Sequence, residues 1–207
     1  MLCQTYLRHK PEYLRMMIKN FTDIAFTESV KEEQRARGSR NNYLQMEQME
    51  MVQLHQREIA FIQSRDMFYM SSVAENGWPY VQFRGGPKGF LKVLSPTQIS
   101  FANFRGNMQY ISYGNLTDSN KVALILMDYP SRTRLKIWAE AEIIKPNDNE
   151  LFNDLVSDDY EAVVEHLFVL NVKAFDWNCP QHIIPRYTEE EFRAILNITD
   201  RTTDDDD

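Results

Sequence analysis

Hydrophobic and polar positions follow two patterns along the chain, and the change falls at about residue 65. The first 65 residues are rich in Met, Gln, Glu and Arg, which favour helices, and they contain a single glycine. Spacings of three and four residues separate Val52, His55, Ile59 and Ile62. A helix would place these four side chains on one face. The pattern predicts a helical N-terminal extension over residues 1–60 that packs on the domain after it.

After residue 67, short apolar runs alternate with turn residues, which is typical of β-strands. The runs at 68–74 and 79–84 flank Asn76-Gly77, a dipeptide that favours a hairpin because both residues tolerate positive φ. Further strand-like runs lie at 89–94, 99–103, 121–129, 134–144 and 163–175. This succession of short strands predicts an antiparallel barrel over residues 61–200 rather than βαβ units.

Two predicted helices interrupt or follow the strands. One lies between Asn107 and Leu116. Thr188 and Glu191 form a capping-box pattern that starts the other, which runs through Leu196. The fold class that we expect is therefore mainly β with flanking helices (α+β), built around an antiparallel barrel.

Composition places the chain of 207 residues among ordinary globular proteins, with 43% hydrophobic and 26% charged residues. The longest apolar run, Val122–Met127, is too short to span a membrane, so we expect no membrane partner. Cys3 and Cys179 do not make a disulfide framework, which favours a reducing compartment and a cytoplasmic location. We expect the acidic end, residues 201–207, to be a disordered tail.

Charge is distributed unevenly along the chain. The segment from Arg84 to Lys136 carries eight basic and two acidic side chains, whereas the rest carries 15 basic and 28 acidic ones. Because the whole chain has a net charge of −7, the basic segment favours a specific anion over nucleic acid. A solvated face with ion pairs to the acidic segments explains the charge equally well.

Two stretches of the basic segment suit an anion. Arg105-Gly106-Asn107 follows a predicted strand and precedes a predicted helix, where a guanidinium and free backbone N–H groups suit a phosphate. Arg132, Arg134 and Lys136 alternate along a later predicted strand and would share one face. That face could present cations to the same anion or to solvent.

A third group of candidate ligand contacts lies after the last predicted strand. It comprises Trp177, Asn178, Gln181, His182 and Arg186. An aromatic ring, amides and a cation suit a planar heterocycle, and a buried tryptophan corner explains them equally well. The chain has no HExxH or GxSxG motif and its histidines are scattered, so we expect no metal site.

Five segments together resemble a known family. They are Ser64–Tyr69 (SRDMFY), Gly77–Val93 (with GWPYVQFRGGPKGFLKV), Phe104–Leu116 (FRGNMQYISYGNL), Met127–Ile137 (MDYPSRTRLKI) and Asp176–Arg186 (DWNCPQHIIPR). Each is weak alone, but the combination is similar to an uncharacterised branch of the pyridoxamine 5'-phosphate oxidase-like, FMN-binding split barrels. The resemblance covers about residues 60 to 187.

The resemblance implies a split β-barrel that forms a homodimer and holds FMN at the subunit interface. Seven residues of one subunit match cofactor-binding positions: Arg84, Lys92, Asn103, Arg105, Asn107, Gln109 and Arg134. Four more would come from the second copy of the chain: Trp177, Gln181, His182 and Arg186. By the same resemblance, Arg134 falls where the family places a polar flavin contact.

Two motifs depart from the oxidases of this family. Asn107-Met108-Gln109 stands where they carry a Ser-Arg-Lys run at the phosphate turn, and Ile183–Arg186 replaces their substrate-binding Arg-Leu-His-Asp-Arg segment. The resemblance therefore implies an FMN-dependent oxidoreductase with a small-molecule substrate other than pyridoxamine phosphate. The alternative is a non-catalytic flavin- or haem-binding or sensor protein.

Overall fold

The computed structural model describes residues 18–146, 160–178 and 180–196. The predicted acidic tail at 201–207 and the first 17 residues of the predicted extension lie outside these ranges. Both cysteines also lie outside them. No helix among the described residues is long and apolar enough to cross a membrane.

Seven antiparallel strands form one sheet, which confirms the predicted fold class. They are β1 (Met67–Val73), β2 (Pro79–Gly85), β3 (Lys92–Ser95), β4 (Gln98–Phe104), β5 (Lys121–Asp128), β6 (Thr133–Ile144) and β7 (Val164–Trp177). Their order in the sheet is β2-β1-β5-β6-β7-β4-β3. Strands β1 and β2 form the predicted hairpin, in which Met67 pairs with Gly85 and Gly77 adopts a φ of 85° in the turn.

Successive side chains of β6 point alternately to the core and to the outer face of the sheet. Leu135 and Ile137 are buried, whereas Arg134 and Lys136 point to the opposite side. Arg132 does not share that face, so the prediction that it lies on the strand is wrong. It adopts a φ of 54° in the turn before β6, where its N–H donates to the Tyr129 carbonyl at 3.2 Å.

The sheet curls into a split barrel around a buried aromatic core. Phe68 of β1 contacts Phe101 of β4, with ring centroids 5.0 Å apart, and Phe101 contacts Phe168 of β7 at 5.1 Å. The edge strands are β2 and β3. Arg84 of β2 donates from Nη1 to Oδ1 of Asn103 on β4. Strands β2 and β4 therefore face each other across the split.

The segment before the barrel folds back on it, with its first part on the outer face of the sheet and its last helix against the core. It contains α1 (Thr22–Ala25), α2 (Glu28–Ala36), 3₁₀ turns at Arg40–Tyr43 and Met46–Gln48, and α3 (Gln56–Gln63). Phe21 stacks on Trp138 of β6 with ring centroids 5.8 Å apart. The buried Asn20 amide holds the segment together because it donates to the carbonyls of Met46 and Met49 at 3.0 and 2.7 Å.

Helix α3 is shorter than the predicted helical face. It begins at Gln56, so Val52 and His55 lie before it, because the Glu58 carboxylate accepts a hydrogen bond from the His55 N–H at 3.1 Å and closes a capping box. Two residues of the predicted apolar face lie within the helix. Ile62 is fully buried, and Ile59 is partly buried and packs against the core.

Two helices follow strands later in the chain. Helix α4 spans Ile111–Asp118, four residues later than the predicted start at Asn107, because Met108 and Tyr110 adopt left-handed φ values of 57° and 52°. Helix α5 spans Glu189–Ile195. Its predicted capping box is confirmed. The Thr188 N–H donates to Oε2 of Glu191 at 2.9 Å, and the Glu191 N–H donates to Oγ1 of Thr188 at 3.2 Å.

Candidate functional site

A polar cavity of about 210 Å³ opens at the split of the barrel. Strand β2 supplies Tyr80, Gln82 and Arg84 to one wall, because alternate residues of a strand point to one side. The opposite wall comes from the end of β4, the start of β7 and the loop into α4. Four of the sequence-predicted cofactor contacts line this cavity together: Arg84, Asn103, Asn107 and Gln109.

The loop from β4 to α4 is shaped by local hydrogen bonds and two left-handed residues. The Asn107 side-chain oxygen accepts from the Gln109 N–H at 3.2 Å. At the helix start, the Ser112 hydroxyl donates to Oε1 of Gln82 at 2.9 Å, which ties α4 to β2. Because the side-chain oxygens of Asn107 and Gln82 accept these bonds, the NH2 groups of the two amides are the donors that a ligand at the rim of the cavity can use.

Arg84 is a mostly buried cation at this cavity. Burial lowers the pKa of its guanidinium to about 10, so the group is charged at neutral pH. Among the described residues no carboxylate forms an ion pair with it, and its buried Nε has no hydrogen-bond partner. The Asn103 amide and the rings of Phe168 and Phe101, whose centroids lie 5.5 and 5.9 Å from the guanidinium carbon, offset part of this desolvation, and an anion would stabilise the charge further. The cavity is therefore suited to an anionic ligand.

Arg105, which the sequence places at a phosphate turn, makes a different contact. Its Nε donates to Oε1 of Glu165 at 3.1 Å, and 56% of the arginine side chain is exposed. The Tyr110 hydroxyl donates to the same oxygen at 3.0 Å, and this hydrogen bond raises the pKa of Tyr110. Arg105 thus offsets a carboxylate at the cavity wall rather than facing the cavity itself.

Lys92 and Arg134 lie apart from the cavity. Lys92 is exposed on the edge strand β3 and pairs with Ser100. Arg134 lines a second depression, of about 380 Å³, on the outer face of the sheet. The other residues that line this depression are Tyr69, Ile125, Met127, Tyr129, Lys136 and Asn178. The Nε of Arg134 is buried without a partner among the described residues.

The four C-terminal candidates do not reach the cavity of their own chain. Arg186 lies over the ring of Tyr129 at 5.1 Å, so it stands beside the outer depression that Arg134 lines. Gln181 and His182 are exposed, and His182 has a φ of 64°. A cofactor that contacts all of the candidates would need two copies of the chain.

Trp177 packs against α3 instead of facing solvent. Its ring meets Phe61 edge to face at a centroid distance of 4.9 Å, and the Arg57 guanidinium lies 4.1 Å from the ring centroid. The indole N–H donates to Oε1 of the buried Glu58 at 2.6 Å. The sequence left open whether Trp177 contacts a planar ligand or forms a buried tryptophan corner. Its environment within the chain is that of a tryptophan corner, in which Arg57 covers one face of the ring.

The sequence did not single out several residues of the cavity wall. They include Tyr80, Gln82, Tyr110, Ser112, Glu165 and His166. His166 reaches the cavity because it pairs with Asn103 across β4 and β7, more than 60 residues away in the chain. A strand pairing of that separation leaves no local signal in the sequence.

Comparisons with known proteins agree with this architecture. A family model described as Pyridoxamine 5'-phosphate oxidase matches residues 54–181, more than half of the chain. No curated protein matches the chain in sequence.

Three solved structures illustrate the structural similarity. HupZ of Group A Streptococcus matches with a TM-score of 0.50 and 12% identity, over 65% of this chain and 99% of its own. A candidate pyridoxamine 5'-phosphate oxidase of Lactobacillus delbrueckii has a TM-score of 0.49 and 21% identity, over 61% and 95%. An FMN-binding protein of Syntrophomonas wolfei has a TM-score of 0.47 and 12% identity, over 70% and 97%. At its low identity, the HupZ match shows the shared fold alone.

Proposed function

Since the chain belongs to the pyridoxamine 5'-phosphate oxidase family, we propose that it binds FMN between two copies of the chain and acts as an oxidoreductase on a small molecule. Arg84 carries this proposal. A desolvated guanidinium without a carboxylate partner among the described residues calls for an anionic ligand, and a terminal phosphate supplies one.

The groups around Arg84 fit a phosphate. Asn103, Asn107 and Gln109 bring amide groups to the same cavity. These donors would take over from the Ser-Arg-Lys run of the related oxidases, with Arg84 as the main source of positive charge. Lys92 and Arg105 would contribute at longer range, through the electrostatic potential of the basic segment.

The size of the cavity supports a shared site. Pockets that enclose a whole drug-sized ligand measure roughly 300–1,000 Å³, whereas this one holds about 210 Å³. It would accommodate the phosphate end of FMN and leave the flavin ring outside. The ring would then meet the outer depression of the second copy, with Arg134, Gln181, His182 and Arg186, whereas Trp177 packs against α3 and would not contact it.

Exposed apolar side chains on the sheet support the same dimer. Tyr69, Val81, Phe83 and Ile125 are 37%, 62%, 56% and 40% exposed, respectively. Tyr69 pairs with both Phe83 and Ile125, so the three side chains form one row across β2, β1 and β5. We call these four residues the outer apolar face. Covering it with a second copy would remove this surface from water.

When bound, FMN would supply hydride transfer, which no side chain of the protein performs. The residues of the chain would hold the phosphate, fix the orientation of the ring and exclude water. Arg134 and Arg186 would place positive charge beside the ring, where it stabilises negative charge that develops during reduction.

Binding of FMN and riboflavin to two matched variants tests the proposal. Arg84→Met removes a charge that has no carboxylate partner in the part of the chain that the structure describes, and Lys121→Met removes an exposed charge at the start of β5. A charged hydrogen bond contributes about 1.5–3 kcal/mol, so Arg84→Met should weaken FMN binding roughly ten- to a hundredfold. Riboflavin, which lacks the phosphate, should be little affected, and Lys121→Met should leave both affinities unchanged.

Other outcomes contradict the proposal. Equal losses for FMN and riboflavin would make Arg84 a structural residue. Wild-type protein that binds neither flavin but copurifies with haem would favour the haem-binding alternative. The oxidoreductase step is tested separately, because bound flavin that is bleached by NADPH and recovers in air indicates turnover. Flavin that stays oxidised with every reductant indicates a carrier.

A further inference from the structure

His166 is a buried histidine whose contacts do not satisfy it. Only 4% of the residue is exposed, it lies in the wall of the cavity, and its buried Nε2 has no hydrogen-bond partner among the described residues. Its ring meets Tyr113 and Phe168 edge to face, at centroid distances of 5.0 and 4.7 Å. An unsatisfied buried polar atom costs about 1–3 kcal/mol, so this arrangement does not serve the stability of the free protein.

The charged and titratable groups around His166 come from β2, β7, α4 and the loop before α4. Arg84 approaches from β2, Glu165 is its neighbour on β7, Tyr113 belongs to α4, and Tyr110 precedes that helix. Burial lowers the pKa of His166, Glu165 raises it and Arg84 lowers it again. Glu165 is itself engaged by Arg105 and Tyr110. The imidazole is therefore neutral in the free protein at neutral pH.

An anion in the cavity reverses this balance. A phosphate held by Arg84 offsets the guanidinium charge that disfavours the imidazolium, and it offers an acceptor for a ring N–H. Asn103, which pairs with His166 across the sheet, already accepts from Arg84, so the three side chains adjoin one another at the base of the cavity.

We propose that His166 is a ligand-binding residue that donates from Nε2 to the phosphate and takes up one proton from solvent when a phosphate monoester binds. The inference rests on the proposed function for the position of the phosphate, and it does not require a flavin. A proton is gained by the imidazole and lost by water or buffer, and no covalent bond to the ligand forms.

The sign of the pH dependence follows from this linkage. Binding raises the pKa of His166 from its depressed value in the free protein. Between the free and bound pKa values, the affinity for FMN increases as the pH falls, by up to about tenfold per pH unit for one proton. Below the free pKa the increase from His166 stops, because the ring is then protonated before binding.

Titration calorimetry measures the proton directly. FMN binding is recorded in two buffers of different ionisation enthalpy at pH 7.0, above the second phosphate pKa of about 6, where the dianion prevails. The wild type should take up a fraction of a proton that increases toward lower pH, and riboflavin should give no uptake. His166→Gln should lose the uptake and weaken FMN binding. His55→Asn, which removes an exposed histidine but retains a capping side chain, should behave as the wild type.

A second measurement works even if FMN does not bind. Nuclear magnetic resonance of histidine-labelled wild-type protein follows the pKa of each imidazole with and without inorganic phosphate. The expected result is a higher pKa for His166 in phosphate, whereas the His55 resonances should not respond to phosphate. An unchanged His166, or equal proton uptake by His166→Gln, overturns the inference. Failure of FMN alone to bind would contradict the proposed function and leave this test in place.

Discussion

Arg105 illustrates how a residue beside an anion site can matter without touching the anion. Its guanidinium is paired with Glu165, a carboxylate in the cavity wall that is only 14% exposed. An unpaired carboxylate there would repel a phosphate held by Arg84. We therefore expect Arg105 to act through Glu165.

A double substitution tests this electrostatic role. Arg105→Ala should weaken FMN binding by about threefold to tenfold, because solvent screens part of the interaction of this half-exposed pair. Glu165→Gln in the same protein should restore the affinity, since no carboxylate then needs to be offset. Fluorescence titration of FMN at low ionic strength measures both. If Arg105→Ala weakens FMN binding by the same factor with and without Glu165→Gln, then Arg105 contacts the phosphate directly.

The resemblance to a known family indicated part of the candidate site. Arg84, Asn103, Asn107 and Gln109 were predicted through the resemblance and do line one cavity. The contact made by Arg105 was not predictable, because Glu165 lies 60 residues away. His166 looked like one of several scattered histidines, and only its pairing with Asn103 reveals its position.

At the scale of elements, one buried carboxylate connects α3 to the end of β7. Glu58 is 5% exposed, closes the capping box of α3 through the His55 N–H, and accepts from the indole N–H of Trp177. The helix is only eight residues long, so tertiary contacts of this kind rather than helix propensity hold it in place.

Substitution of Glu58 should destabilise the protein in proportion to the bonds it loses. Glu58→Ala removes the cap, worth about 1 kcal/mol, and leaves the indole N–H of Trp177 unsatisfied, at about 1–3 kcal/mol. We expect a loss of about 2–4 kcal/mol in the free energy of unfolding, measured by urea denaturation. Glu58→Gln keeps one acceptor oxygen and therefore one of the two hydrogen bonds, so it should lose less than Glu58→Ala. Equal losses would show that the charge of Glu58, rather than its hydrogen bonds, is what stabilises the corner.

Element types followed from the sequence, whereas element ends depended on individual contacts. Alternating strands and the Asn76-Gly77 hairpin were predicted and are present. Helix α3 begins later than its apolar spacing suggested because Glu58 caps it, and α4 begins later because Tyr110 is left-handed. Arg132 fell outside β6 for the same kind of reason, a turn with positive φ.

At the scale of the whole molecule, β2 carries both a wall of the cavity and part of the outer apolar face. Tyr80, Gln82 and Arg84 point into the cavity, and the residues between them, Val81 and Phe83, belong to the outer apolar face. If that face is covered by a second copy, dimer formation and flavin binding depend on the same strand. The two properties should then be lost together.

A single charge on the outer apolar face tests this dependence. Val81 pairs with Ser71 in the middle of the β1–β2 hairpin and is 62% exposed, so Val81→Glu should not disturb the core. We expect light scattering to give twice the 24.5 kDa chain mass for the wild type and the single chain mass for Val81→Glu, because burial of an unpaired carboxylate opposes association. FMN affinity should fall with the dimer. Leu44→Glu, at a comparably exposed apolar position before the barrel, should leave both the mass and the affinity unchanged. A Val81→Glu monomer that still binds FMN with full affinity would place the whole cofactor within one chain.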